Sequence, residues 1–289
     1  MSWLEVLARE PWLLWVSTLL LGLIIGSFLN VVIHRLPQMM QAQWHRECAE
    51  LQGDVTGEGT GLTLATPGSS CPHCGHAITP LENIPILSYL FLRGRCSACA
   101  APISHRYPLV EALTALLSLA VVWRFGPGWE AVAALVLTWG LVALSGIDLD
   151  TQLLPDSITQ PLLWLGLTLS LTGLFSNPQS SILGAAAGYL SLWLIFHLFR
   201  LATGKEGMGY GDFKLLAVFG AWLGWSALPQ IALLSALAGA LVGGALILAG
   251  RQGRDLPIPF GPYLAAAGWI ALLWGDAINN AYLNWAGLG

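Results

Sequence analysis

Residues 207–220 read "GMGYGDFKLLAVFG": glycines at 207, 209 and 211 lead into Asp212, and an apolar run interrupted only by Lys214 follows. A carboxylate at the mouth of such a run either caps a helix or does chemical work, and the rest of the chain must decide between the two. The run is not isolated. Of 289 residues, 55% are hydrophobic and 10% charged, against about 25% charged in soluble domains, and the mean hydropathy is +0.66. A helix crossing a bilayer core needs about 20 mostly apolar residues. Eight segments come near that, at about 12–33, 108–125, 130–147, 158–175, 180–200, 213–227, 229–250 and 261–285. The sequence therefore predicts an all-α polytopic membrane protein of about eight transmembrane helices.

The net charge of −4 does not orient such a chain, whereas the positions of Lys and Arg do. With the polar segment 34–107 in the cytoplasm, Arg35, Arg46, Arg93, Arg95, Arg106, Arg200, Lys205, Lys214, Arg251 and Arg254 fall on or near that side. Only Arg9 and Arg124 fall opposite. The opening "MSWLEVLAREPWLLW" has no basic n-region and no small-residue cleavage site, so the first span is expected to be retained. Three divisions follow: a first transmembrane helix at 1–33, a cytoplasmic domain at 34–107 and a seven-helix membrane domain at 108–289. The stretch from about 43 to 70 is expected to be loop-like.

All five cysteines lie in the polar segment, four of them as "CPHC" (Cys71, Cys74) and "CSAC" (Cys96, Cys99). Two C-x-x-C knuckles 21 residues apart sit just beyond the usual zinc-ribbon gap of about 15–20 residues. Disulfides are rare in a reducing cytoplasm, so a structural, four-thiolate zinc site is the expectation, with no open position for catalysis. His73 and His76 are spare donors at most, and Cys48 reads as an ordinary free thiol.

Acids gather at one membrane face. "SGIDLDTQLLPDS" brings Asp148, Asp150 and Asp156 to the end of span 3 and the following turn, and Asp212 opens span 6. Taken singly, Asp156 and Asp212 read as caps for helices starting at Ser157 and Phe213. Taken together, two short connectors far apart in sequence deliver acids to the same face. Two carboxylates in a partly dry site share a proton, one serving as base on a water and the other as acid toward a carbonyl. The glycines before Asp212 let a strand or a substrate approach without Cβ obstruction.

These motifs resemble those of a known family. "GMGYGDFK" with "GIDLDTQLLPD" is similar to the paired-aspartate signature of the type IV prepilin peptidases, GxGD-type intramembrane aspartic proteases. The likeness continues through "GSFLNVVIHRLP" (26–37), "CPHCGHAITPLENIPILSYLFLRGRCSACAAPISHRYPLVE" (71–111) and "PIPFGPYLAAAG" (257–268). It implies a bifunctional inner-membrane enzyme with its active site toward the cytoplasm. Such an enzyme cleaves the basic leader of prepilins and type II secretion pseudopilins after a glycine, then N-methylates the new terminus with S-adenosylmethionine. Matched by position, Asp148 and Asp212 are the catalytic pair. Departures are "PLENIP", where an aromatic often precedes "NIP", and Ala100, where a glycine commonly follows the second knuckle. No GxGxxG follows a predicted strand, so the methyl donor is assigned by resemblance alone, to Glu82, Asn83, Gly94 and Glu111. Glu111 binds the new amine or pairs with Arg106, and Asn30, His34 and Arg35 are site residues or merely the polar end of span 1. The alternatives from other classes are a transporter with an aspartate proton or ion relay and a zinc module, and a zinc-bearing scaffold.

Overall fold

The computed structural model describes residues 10–53, 61–205, 207–249 and 259–287. Among them there are helices and no strands, the only extended pairing being two isolated bridges, Ser70 with Ala77 and Arg95 with Pro102. The helices are α1 (Pro11–Leu51), α2 (Leu87–Phe91), α3 (Arg106–Phe125), α4 (Trp129–Thr151), α5 (Asp156–Ser170), α6 (Pro178–Thr203), α7 (Tyr210–Leu223), a 3-10 turn (Trp225–Ala227), α8 (Leu228–Leu248) and α9 (Gly261–Trp285). Each of the eight expected spans coincides with one of these. Five are long and apolar enough to cross a membrane: α1, α3, α4, α6, and α8 with its 3-10 turn. Eight crossings are therefore not established. With 15 and 14 residues, α5 and α7 extend only ~22 and ~21 Å at 1.5 Å per residue, short of a ~30 Å core. Arg9, Arg251 and Arg254, used above to orient the chain, lie outside the described residues, as does most of the opening segment.

The chain forms two compact units, Met1–Ala143 and Leu144–Gly289, the boundary falling within α4. In the first, α1 and α3 cross closely. A Cβ on Gly22 would lie 2.6 Å from the Ala115 Cα, and one on Gly26 2.7 Å from the Glu111 Cα. This is small-xxx-small packing, which replaces the hydrophobic driving force that lipid removes. The Trp139 indole N–H then donates to Ser118 Oγ at 3.0 Å, binding α4 to α3. One expectation fails in this unit. From residue 43 to 51 the chain is helical, because α1 runs on through Pro37 to Leu51 for 41 residues, about 60 Å. "QMMQAQWHRECAEL" is rich in good helix formers, and Gln43 bonds Glu47 one turn on at 2.8 Å.

In the second unit α7 is the central post, with ten residues buried, including Phe213, Phe219 and Trp222. Glycines admit it on three sides. Gly184 and Gly188 of α6 lie against the backbone of Gly220 and Leu216, Gly166 of α5 receives the Trp222 indole, and Gly268 of α9 receives the Phe219 ring. Trp222 Nε1 also donates to the Leu162 carbonyl at 2.8 Å. A helix apolar all round must be enclosed, and here three neighbours take the lipid's place.

Candidate active site and metal centre

Asp148 lies in the last turn of α4 and Asp212 in the first turn of α7, at 5% and 6% exposure. Asp150, two residues on from Asp148, is exposed, since two positions on a helix are about half a turn apart. The two buried acids come within electrostatic reach of each other. They also share surroundings: a Cβ on Gly211 would lie 2.7 Å from Leu154 Cβ, and one on Gly261 3.2 Å from Leu154 Cδ2. The Gly261 amide donates to Asp148 Oδ2 at 2.9 Å. Gly261 opens α9, with proline next in line, so its N–H belongs to the first turn and has no partner within its own helix. Each carboxylate thus meets a helix N-terminus, Asp212 that of α7 and Asp148 that of α9. At both places backbone amides of a first turn favour a negative charge.

Neither expected cap forms. Asp212 is the third residue of α7, the N-cap being Gly209, and α5 begins at Asp156 with Pro155 as its N-cap, neither cap making a side-chain bond. Asp156 instead takes a two-pronged contact from Lys214 Nζ, at 2.6 and 2.8 Å, which ties the start of α5 to α7 two residues beyond Asp212. The glycine run serves tight packing: Gly207 faces the Phe199 ring and Gly211 faces Leu154.

The four knuckle cysteines converge, all Sγ atoms lying within 4.8 Å of one another. Cys71 and Cys99 are 3.9 Å apart and Cys74 and Cys96 4.0 Å. A tetrahedral ion with ~2.3 Å bonds to sulfur sets its ligands ~3.8 Å apart, so the cluster fits such an ion. The knuckles repeat one another: Gly75 and Ala100 each donate back to the first cysteine of their knuckle, Cys71 at 2.9 Å and Cys96 at 3.0 Å. Both residues sit at positive φ, 72° and 57°. Amides of His73 and Cys74 lower the Cys71 thiol to about 7. The His76 amide favours the Cys74 thiolate too, yet crowding out of water and the sulfurs of Cys99, Cys71 and Cys96 push it up to about 12. A cation would relieve that mutual repulsion.

The four residues assigned to the methyl donor are spread over the module. Glu82 accepts from Ser97 Oγ and from the Thr79 amide and hydroxyl at 2.8 and 2.9 Å, with His76 Nε2 at 3.4 Å. Those bonds, Ser97 first, hold its carboxyl down at about 2. The carboxylate thereby links both knuckles, and His76 turns to it and not to the sulfurs. Asn83 is exposed, with its amide on the Thr79 carbonyl at 3.1 Å. Gly94, at φ 66°, lies beneath Tyr89. Glu111 is buried in α3 and accepts from the Ile86 amide at 2.8 Å. Asn30 donates to the Tyr107 carbonyl at 3.1 Å, Arg35 to those of Thr63 and Leu64 at 3.1 and 3.4 Å, and His34 pairs with Gln38. Asn30 and Arg35 thus tie α1 to the rest of unit one, while the His34 contact stays within α1. Cys48 is exposed.

Two profiles cover most of the chain: the bacterial peptidase A24 N-terminal domain matches residues 20–125, and the type IV leader peptidase family matches 135–244. The chain is 58% identical to a prepilin leader peptidase/N-methyltransferase of Aeromonas hydrophila, over 97% of its own length and 98% of the relative's. The chain belongs to the type IV leader peptidase family. Similar relatives with that title occur in Pseudomonas aeruginosa, 56% identical over 99% of each chain, and in Stutzerimonas stutzeri, 55% identical over all of both. No solved structure matches. The transporter reading finds no support among these relatives. Gly261, whose amide meets Asp148, and Lys214, which meets Asp156, are contacts the sequence reading missed; "FGPYL" carries a legible signal, a Gly-Pro helix start whose first amide is free to hold an anion.

Proposed function

We infer that this membrane enzyme removes the leader peptide from prepilins and N-methylates the new N-terminus. The observation that carries the peptidase half is the pair of buried, electrostatically coupled acids of α4 and α7, each set at a helix N-terminus. In the mechanism proposed, one of Asp148 and Asp212 is ionised and draws a proton from water, while the other, protonated, donates to the scissile carbonyl. Burial keeps bulk water out and strengthens both interactions. Gly261 holds Asp148 from behind, leaving its other oxygen for the water. Asp150, exposed, takes no part.

The remaining assignments are parts of the same proposal. The four cysteines hold a structural Zn2+, with bonds from Glu82 and backbone amides fixing the knuckles around it. S-adenosylmethionine supplies the methyl group, and the segment 34–107 with its junction to the membrane, including Glu82, Asn83, Gly94 and Glu111, houses it. Glu82 already spends its oxygens on the module's own groups, and Glu111 gives one of its own to the Ile86 amide, so their part is to shape that region. Membrane peptidase chemistry then belongs to 108–289, in the inner membrane with the site facing the cytoplasm, and pseudopilins join prepilins as substrates.

The test uses purified protein in detergent with a full-length prepilin. A shortened product on a gel, and a mature N-terminus heavier by one methyl when S-adenosylmethionine is added, support the assignment. Asp148→Ala and Asp212→Ala should each abolish the product and Asp150→Ala should not. Cleavage retained in either of the first two, or no cleavage by the unaltered protein, would overturn it.

A further inference from the structure

The zinc module carries an apolar edge that its own fold leaves open. Leu87, Leu90 and Phe91, all in α2, are 53%, 64% and 84% exposed, and Leu81 and Ile84, just before them in sequence, are exposed as well. A module of its size buries such residues when it can. What fixes the level of this edge is Glu111. It lies five residues into α3, a helix of 20 residues, which at 1.5 Å per residue spans ~30 Å, one bilayer core. Helical side chains lean toward the helix N-terminus, which returns the Glu111 carboxylate toward the level of Arg106 and Tyr107. There it accepts the amide of Ile86, the residue immediately before α2. Ile86 holds φ 58°, a costly conformation for a β-branched residue. The junction between loop and α2 is therefore pinned at the depth where α3 enters the membrane.

We propose that α2 is an interfacial membrane anchor of the zinc module: Leu87, Leu90 and Phe91 enter the headgroup–acyl boundary beside the start of α3, and Arg93 and Arg95 meet anionic lipid headgroups. Apolar side chains set ~5–10 Å into that boundary, next to basic residues, are the pattern of helices that lie on a membrane. Arg93 and Arg95 follow α2 directly, are exposed and form no ion pair among the described residues. The attraction of each for an anionic surface is the usual juxtamembrane one. The Glu111–Ile86 bond sets the height, the aliphatic and aromatic side chains supply the hold, and the arginines select the lipid. The module is thereby held at the surface by a contact separate from the two helices that flank it in sequence.

The test places a photoreactive benzoylphenylalanine at position 91, and in a second variant at position 51, in the full-length protein. Leu51 is equally apolar and exposed but ends α1, 16 residues or ~24 Å beyond Arg35. Both variants are reconstituted in phosphatidylethanolamine vesicles with or without phosphatidylglycerol, irradiated, and analysed by mass spectrometry for lipid adducts. Burying one such side chain favours the inserted state by a factor of about ten or more, so position 91 should exceed position 51 in lipid adducts by at least about tenfold. Arg93→Gln with Arg95→Gln should remove the preference for phosphatidylglycerol adducts while prepilin cleavage persists. Equal adduct yields at 91 and 51 would overturn the proposal. So would adducts at 91 that join only protein, whether this chain or an added prepilin.

Discussion

Substituting Gly261 by alanine tests the support of Asp148 without touching either acid. The new Cβ would stand 2.7 Å from Asp148 Oδ2, 3.1 Å from its Cγ and 3.2 Å from Leu154 Cδ2. A carbon normally approaches oxygen no closer than about 3.3–3.6 Å, so the carboxylate or the start of α9 must give way by roughly 0.6–0.9 Å. Gly261, Asp148 and Leu264 are all buried, which leaves little room to yield. The amide bond of 2.9 Å is lost or bent, and a hydrogen bond to a charged group is worth about 1.5–3 kcal/mol. If that support is needed in the transition state, the rate falls roughly tenfold to 150-fold, in line with the ~100-fold penalty for a 1 Å misplacement near reacting groups. The assay is the initial rate of prepilin cleavage in detergent, with thermal unfolding run beside it. Gly244→Ala is the control: it also lies in a helix, its added Cβ meets nothing within 4 Å, and it should leave cleavage intact while adding about 0.5–1 kcal/mol of stability. Gly261→Ala cleaving within about twofold of the parent would refute the role given to this amide.

Other consequences are as readily checked. Ala100 occupies at φ 57° the place that Gly75 fills in the first knuckle; Ala100→Gly should relieve left-handed strain of about 1–2 kcal/mol, less about 0.5–1 kcal/mol of added chain entropy, and make the metal slower to leave in a chelator competition. Cys71→Ser should release the metal and lower the yield of folded protein, and loss of cleavage with metal content unchanged would contradict a structural role. Because the Cys71 thiol sits at about 7 and Cys74 at about 12 without metal, binding must displace protons, so metal retention should weaken as pH falls below about 7 and strengthen above it. Lys214→Ala removes a pair whose Asp156 side is 59% exposed; unfolding should shift by no more than about 1 kcal/mol, and a far larger loss would mean that the contact governs the whole unit.

What could be read from the residues was what periodicity and chemistry encode locally. The eight helices follow from apolar runs, and the cysteine cluster follows from cysteine spacing, because a knuckle is a local turn. Asp148 and Asp212 could be singled out by their position at span ends, but their proximity could not, since it depends on how α4 and α7 pack. The glycines show the same limit. Gly184, Gly188 and Gly220 look alike in sequence to Gly244, yet the first three make a close helix crossing and the last faces open space. Taken singly, Asp156 and Asp212 have the look of caps, but Pro155 and Gly209 start their helices earlier than the apolar runs begin. The extension of α1 to Leu51 was hidden by its polar composition, for a helix projecting beyond the membrane has no apolar run to mark it. The Gly261 amide left only a partial sign, the Gly-Pro helix start of "FGPYL": a backbone donor has no residue-type signature that says which side chain it will meet.

The most direct test of two acids acting on one water is a double-mutant cycle. Asp148→Asn, Asp212→Asn and the double variant preserve side-chain shape while removing the proton exchange, and each is measured by single-turnover cleavage of a prepilin with metal content and folding verified. Groups that act as a unit are grossly non-additive: each single change should abolish cleavage, by about a thousandfold or more, and the double should be no worse than either. Losses that multiply in the double variant, or a single variant that still cleaves at a substantial rate, would show that the two carboxylates do not share the reaction.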